Sequence, residues 1–223
     1  MRYIDLTGMI ENGMWEYGNP YPKVEITRTS SINDKTSYAE YKVNAYKISL
    51  SSSSATYVQT SAEMFNGRAT IDKIKLERLI LDTHIIRIRK KPREAIAVKE
   101  LEKTNVKIKK GEGLIVATGW EKFWNKKNFI KDSPHFTPES MDWVLNKGIS
   151  LLAGDMTIYD DYYKPTGLIK NLFKRDVLVV APLVNLDKIK KTKIKLVALP
   201  LKVKGVSGCP CRVIAIEYGY DVE

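Results

Sequence analysis

Histidine and cysteine are nearly missing from this chain. Its 223 residues include two of each: His84 and His135, Cys209 and Cys211. A structural zinc site takes four ligands, mostly Cys and His, and a catalytic one takes three. Two thiols with one residue between them, and no further Cys or His nearby, make a poor zinc site and a poor mutual disulfide. A disulfide scaffold is excluded, and reduced thiols fit a reducing compartment. Long apolar runs are also missing. None approaches the roughly 18 residues that a membrane-spanning helix needs. The opening "MRYIDLTGMI" lacks the apolar core and cleavage site of a signal peptide. The expectation is a cytoplasmic protein with no membrane partner.

What is present is ordinary for a globular protein. Hydrophobic residues make up 43% and charged residues 28%, so neither disorder nor a fibrous class is indicated. A chain of this length buries roughly 70% of its unfolded surface and needs no cross-links. One domain over residues 1–223 is expected. The net charge of +11 invites a nucleic-acid reading. The basic clusters, such as "RIRKKPR" at 87–93, interleave with apolar residues along the whole chain. A lysine-rich solvated surface is the preferred reading, and a nucleic-acid partner is not expected.

Strand-like runs occur at Ile26–Ser30, Val43–Leu50, Ile80–Arg89, Leu114–Thr118, Val177–Val180, Ile194–Leu199 and Arg212–Tyr218. They are rich in Val, Ile, Leu and Tyr. The clearest helix is "TPESMDWVLNKG". Thr137 suits its N-cap, Pro138 its first turn and Gly148 its C-terminal stop. Met141, Val144 and Leu145 share one face. Shorter helices fit "PREAIAVKEL" and "TGLIKNLF". Strands and helices mix without strict alternation. The fold class is therefore α/β or α+β, with a sheet able to curl toward a barrel.

Four blocks, in order, resemble one family. They are "YIDLTGMIENGMWEYGNPYPKVEI", "SSATYVQTSAEMFNGRATIDKIKLERL", "KGEGLIVATGW" continuing to "GISLLAGDMTIYDD", and "DVLVVAPLVNLDKI" continuing to "GVSGCPCRVIAIE". Together they are similar to the cyclase family of metal-dependent hydrolases, which includes kynurenine formamidase. The resemblance implies a single domain of the swivelling β/β/α type, with a barrel-like mixed sheet. It implies a homodimer or homotetramer in which loops from neighbouring subunits approach each pocket. It also implies a small amide or cyclic substrate, hydrolysed by water on zinc or manganese.

The ligands for that metal are replaced. The family's second block reads HxGTHxDxPxHF, and Thr56 matches its Thr. The two ligand His positions then fall on Ser53 and Tyr57, the Asp on Gln59, the Pro on Ser61 and the proton-shuttling His on Glu63. Downstream, the ligand Glu falls on Ala181 and the ligand His on or near Ile169. Neutral Ser, Tyr and Gln are weak ligands, and Ala and Ile are none. No cofactor is expected.

Two readings of the old pocket stand side by side. In one it is a working site without metal. Glu63, Tyr57 and Gln59 are then the candidate catalytic residues, with Glu63 and Tyr57 handling protons. Ser53, Thr56, Trp15 and Tyr17 are the candidate substrate-binding residues, and the aromatics would stack on a flat small-molecule ligand. In the other, the polar groups fill vacated space and bond one another. The protein is then a pseudoenzyme, a binding or scaffolding subunit that could partner an active homologue. Trp120, Phe123 and Trp124 read as packing residues. Asp155, Asp160 and Asp161 are the one acidic cluster that could take a replacement cation.

Overall fold

The computed structural model describes residues 1–29 and 44–219. In chain order the strands are β1 (Arg2–Asp5), β2 (Glu25–Arg28), β3 (Tyr46–Ser49), β4 (Tyr57–Gln59), β5 (Ile80–Arg87), β6 (Ala95–Ile96), β7 (Gly113–Ala117), β8 (His135–Phe136), β9 (Leu151–Gly154), β10 (Leu178–Ala181), β11 (Lys193–Pro200) and β12 (Gly208–Glu217). The helices are α1 (Val98–Glu102), α2 (Pro138–Asn146) and α3 (Leu168–Lys174).

Seven strands close into a mixed barrel in the order β12-β11-β5-β7-β9-β10-β4, and β4 pairs back onto β12. The ten-residue β12 makes the seam. One of its edges pairs with β11. Its other edge is shared, with Gly208–Pro210 taking β4 and Ile214–Glu217 taking β1. Strands β5, β7, β9 and β10 run parallel to their neighbours in that series, and the remaining pairings are antiparallel.

Strands β7, β9 and β10 read as continuous apolar runs because both faces are covered. Every residue of β7, β9 and β10 is buried. Alternation sorts their side chains into two cores. Ile115, Ala117, Leu151, Ala153, Leu178 and Val180 point into the barrel with Val58 and Val213. Leu114, Val116, Leu152, Val179 and Ala181 point outward, against Met141, Val144 and Leu145 of α2 and Leu168, Leu172 and Phe173 of α3. Each fully buried Leu, Val or Phe contributes about 1.5–3 kcal/mol. On the exposed side of β11, Lys193 and Lys195 alternate outward and pair with Glu112 and Asp82.

Helix α2 starts and stops where its sequence signals it. The Thr137 hydroxyl accepts from the Ser140 backbone N–H at 3.2 Å, Pro138 opens the first turn, and Gly148 follows with φ of +70°. The helix expected over "PREAIAVKEL" is largely absent. Arg93 takes a left-handed φ of +61°, Ala95 and Ile96 pair with β8, and only Val98–Glu102 is helical. Lys90 explains part of this. Its ammonium is nearly fully buried and reaches Glu94 at 3.3 Å and Glu100 at 2.6 Å, tying the turn to α1. Strands β1, β4, β6, β8 and β9 were not among the expected runs. The expected ends Ser30 and Val43 lie outside the described residues.

Candidate functional site

Strand β4 is three residues long and carries two jobs. Val58 faces the barrel interior, while Tyr57 and Gln59 face outward. Tyr57 sits opposite Ala181 of β10 and Pro210 of β12, and Gln59 sits opposite Val179 and Gly208. Their outer face is the floor of a cavity of about 240 Å³, roofed by α3 and by the loop around Tyr17 and Tyr21. Ser53, Tyr57, Gln59, Glu63, Ile169 and Ala181, drawn from three stretches of the chain, all line it. These are the six positions where the family pattern would place metal ligands or the proton shuttle.

Glu63 ends a short 3-10 turn, Ser61–Glu63, whose N-cap is Thr60. The turn is pinned from below. Ser61 Oγ donates to Asp176 Oδ1 at 3.0 Å, and Arg78 Nη1 donates to Asp176 Oδ2 at 2.8 Å. The Glu63 carboxylate is half-buried. Its Oε2 accepts a short hydrogen bond from Ser207 Oγ, and its Oε1 lies 3.4 Å from the Tyr21 hydroxyl.

The phenols form a chain with a direction. Tyr17 OH lies 2.6 Å from the Thr157 carbonyl, which can only accept, so Tyr17 donates there. Tyr57 OH lies 3.0 Å from Tyr17 OH and must donate to it. Burial pushes the Tyr57 phenol up to about 12, and it pushes Tyr17 and Tyr159 well above the usual tyrosine range. All three stay protonated at neutral pH. Two hydroxyls at the cavity have no partner among the described residues. Ser53 Oγ and Thr157 Oγ1 belong to residues only 3% and 4% exposed. Buried hydroxyls in folded proteins are nearly always bonded, so these two mark an unfilled polar part of the cavity wall.

The remaining candidates are placed elsewhere. Thr56 Oγ1 donates to the Pro182 carbonyl at 2.6 Å and accepts from the Gly8 backbone N–H at 2.9 Å. It holds the first loop to β10 and does not line the cavity. Gly8 itself is packed so tightly that a Cβ there would stand 2.0 Å from the Trp124 ring. Trp15 also stays out of the cavity wall. It packs edge-on to Tyr17 and Trp124, each at 5.4 Å, and against Phe129 at 5.5 Å. Trp120 and Phe123 pack on one another at 4.4 Å. Cys209 and Cys211 are free, buried in the barrel interior, and burial raises both thiols.

The donor set does not fit the family's zinc or manganese. Among the six positions only Glu63 carries a carboxylate, and burial pushes the Tyr57 phenol up to about 12. Among the described residues no three His, Cys, Asp or Glu converge. The acidic cluster is otherwise engaged. Asp155 is fully buried and accepts from the backbone of Thr118 and Trp120 and from the Thr118 hydroxyl. Asp160 accepts from the backbone of Thr166, Gly167 and Leu168 at the start of α3. Asp161 accepts from Tyr163.

Sequence reasoning missed Tyr21, Thr157, Tyr159 and Phe173, which also line the cavity. Thr157 and Tyr159 stand in the quoted "GDMTIYDD", so the third block carried a signal. Tyr21 stands in the first quoted block and Phe173 ends the expected helix "TGLIKNLF", but neither block nor helix pattern singles them out as cavity residues.

Comparison with known proteins agrees with this architecture. A family model described as "Putative cyclase" matches residues 4–161. Isatin hydrolase from Roseibium aggregatum is 25% identical over 225 residues, covering 90% of this chain and 84% of that protein. The structure of isatin hydrolase A from Labrenzia aggregata, bound to benzyl benzoate, superposes with a TM-score of 0.82 at 19% identity, over 96% of this chain and 93% of the other. Isatin hydrolase A from Ralstonia solanacearum gives 0.80 at 18% identity, over 97% and 92%. At such identities the structural likeness speaks for the fold alone. The family match, however, spans well over half of the chain, from β1 to the loop that carries Thr157 and Tyr159, and on that ground the protein belongs to the cyclase family.

Proposed function

We propose that the cavity is the working site of an enzyme that handles protons without a metal and acts on a small amide or cyclic molecule. The observation that carries this reading is the company of Glu63. A carboxylate, two unpartnered buried hydroxyls and an amide share one cavity of about 240 Å³. Unbonded Ser53 Oγ and Thr157 Oγ1 can donate to a substrate carbonyl, with the Gln59 amide nearby. Glu63 can take a proton from a nucleophile or from the substrate and return it to the leaving atom, as general base and then general acid. Tyr57 serves as a hydrogen-bonding wall, since its proton is directed at Tyr17. This supports hydrolysis, cyclisation or dehydration. The relative named isatin hydrolase is named for a cyclic amide, which is in keeping with the proposed substrate class.

A second reading has its own support. The Tyr57–Tyr17–Thr157 chain ends on a backbone carbonyl and offers a proton no exit. Both oxygens of Glu63 already face hydroxyls. A pseudoenzyme that binds a ligand without turning it over would look the same.

The test is a thermal-shift screen of small neutral amides and lactams, followed by turnover assays on every hit, with wild type and Glu63→Gln side by side. Glu63→Gln keeps the shape and removes the proton transfer. Hits should still raise its melting temperature, and turnover should disappear. Equal turnover in both proteins removes Glu63 from the chemistry. Binding without turnover in wild type selects the pseudoenzyme.

A further inference from the structure

The cavity differs in charge from the chain around it. The protein has 37 lysines and arginines and a net charge of +11. Yet among the described residues no Lys, Arg or His lines the cavity. Its one carboxylate, Glu63, faces two neutral hydroxyls there and no counter-cation. Withdrawing a carboxylate from water without an opposite charge is costly, and a bound cation offsets that cost.

The rest of the wall suits a cation as well. Rings of Tyr17, Tyr21, Tyr57, Tyr159 and Phe173 surround the space. Tyr17 stands tilted to Tyr21 at 5.7 Å and edge-on to Tyr57 at 6.4 Å, so the rings box the cavity from different directions. Aromatic faces attract a cation within about 6 Å of the ring centre, and they do so more strongly away from water. The phenol protons point away. Tyr57 donates to Tyr17, and Tyr17 donates to the Thr157 carbonyl. Lone pairs and ring faces are therefore left to the ligand. Ser53 Oγ and Thr157 Oγ1, both more than nine-tenths buried and without partners among the described residues, can accept from its N–H groups.

We infer that the cavity binds a small, flat organic cation, an amidinium or a protonated aromatic amine, with Glu63 as its counter-ion and the tyrosines as its cage. The inference rests on the reading of this cavity as a ligand site and adds the charge of the ligand to it. Size agrees, since a cavity of roughly 150 Å³ holds a benzene ring and this one has about 240 Å³. An anion would meet Glu63 and lone pairs, with no positive charge among the described lining residues to receive it.

Three near-isosteric probes of charge +1, 0 and −1 test it: benzamidine, benzamide and benzoate, titrated calorimetrically into wild type and Glu63→Gln. Benzamidine should bind wild type about tenfold or more tighter than benzamide, and benzoate should not bind. Glu63→Gln should erase the benzamidine advantage and leave benzamide unchanged. If benzamide or benzoate binds wild type as tightly as benzamidine, the cation inference fails and the ligand-site reading stands. If benzamidine keeps its advantage in Glu63→Gln, Glu63 is not the counter-ion and the inference fails. If none of the three binds wild type, both readings fail. The comparison of probes on wild type does not depend on any variant folding.

Discussion

The hydroxyls of Tyr17 and Tyr57 lie 3.0 Å apart, and the pair has a fixed polarity because the Thr157 carbonyl takes the Tyr17 proton at 2.6 Å. Tyr57 is the donor and Tyr17 the relay. Removing the relay therefore differs from removing the donor. Tyr17→Phe leaves the Thr157 carbonyl and the Tyr57 hydroxyl without partners, whereas Tyr57→Phe leaves the Tyr17–Thr157 bond intact. Tyr57→Phe should cost about 1 kcal/mol and Tyr17→Phe about 2–3 kcal/mol. Urea unfolding of both variants gives the order, and the reverse order would mean that the Tyr17–Thr157 bond is not the stronger link of the chain.

Alkaline pH probes the same tyrosines. Burial raises the folded-state values of Tyr17, Tyr57 and Tyr159 above the ordinary tyrosine value of 10.0, Tyr57 to about 12. Between pH 10 and 12 the folded chain then holds more protons than the unfolded chain, so stability falls as pH rises through that window. Below pH 10 these groups contribute no slope. Melting temperatures recorded from pH 8 to 11.5 should be flat in these groups' contribution at first and then drop. The drop should shrink in Tyr57→Phe.

Protein purified without chelators should carry no stoichiometric zinc or manganese. The six cavity positions supply one ready carboxylate among Ser, Tyr, Gln, Ile and Ala, which is too poor a set for either ion. Elemental analysis decides the matter. One transition metal per chain would overturn the donor argument and turn attention to Asp160 and Asp161.

Thr56→Val should destabilise the fold by about 2 kcal/mol, since its hydroxyl serves two buried backbone groups, Gly8 N–H and Pro182 O. Affinity for any cavity ligand should be retained in the folded variant, measured by calorimetry below its melting temperature. A loss of affinity larger than the loss of stability would return Thr56 to the site.

A dimer or tetramer is expected in solution, as the family resemblance implies. Light scattering at micromolar concentration should give a multiple of 25.4 kDa. A clean monomer would contradict it.

Much of the barrel was legible because its long strands, β5, β11 and β12, carry the period-two or all-apolar patterns that burial imposes. Strand β4 was not, since three residues are too few to show a period. Its position came instead from the spacing around Thr56. That spacing also located Ser53, Tyr57, Gln59 and Glu63, and the cavity does gather them. The stretch 92–101 misled, because Ala-rich helical propensity there lost to the Lys90–Glu94–Glu100 anchor. Tyr21, Phe173 and the Ser207 hydroxyl stand in stretches the sequence marked, but only the tertiary fold brings those stretches to one cavity, so their place in the site was not legible. Trp15 and Thr56 sat in the right motifs but turn toward neighbouring loops.

Strand β4 has the barrel core on one side, the cavity on the other, and partners along both edges. Its side chains can be exchanged freely on the outer face, because Val58 alone secures the inner one. Its length cannot change. One residue inserted or deleted within Tyr57–Gln59 would shift the register, turn Val58 out into the cavity and drive its neighbours into the barrel. The outer face can therefore change chemistry by point substitution, one position at a time, while the strand's length stays fixed by its two edges. A scaffold built this way can be repurposed many times without ever being redrawn.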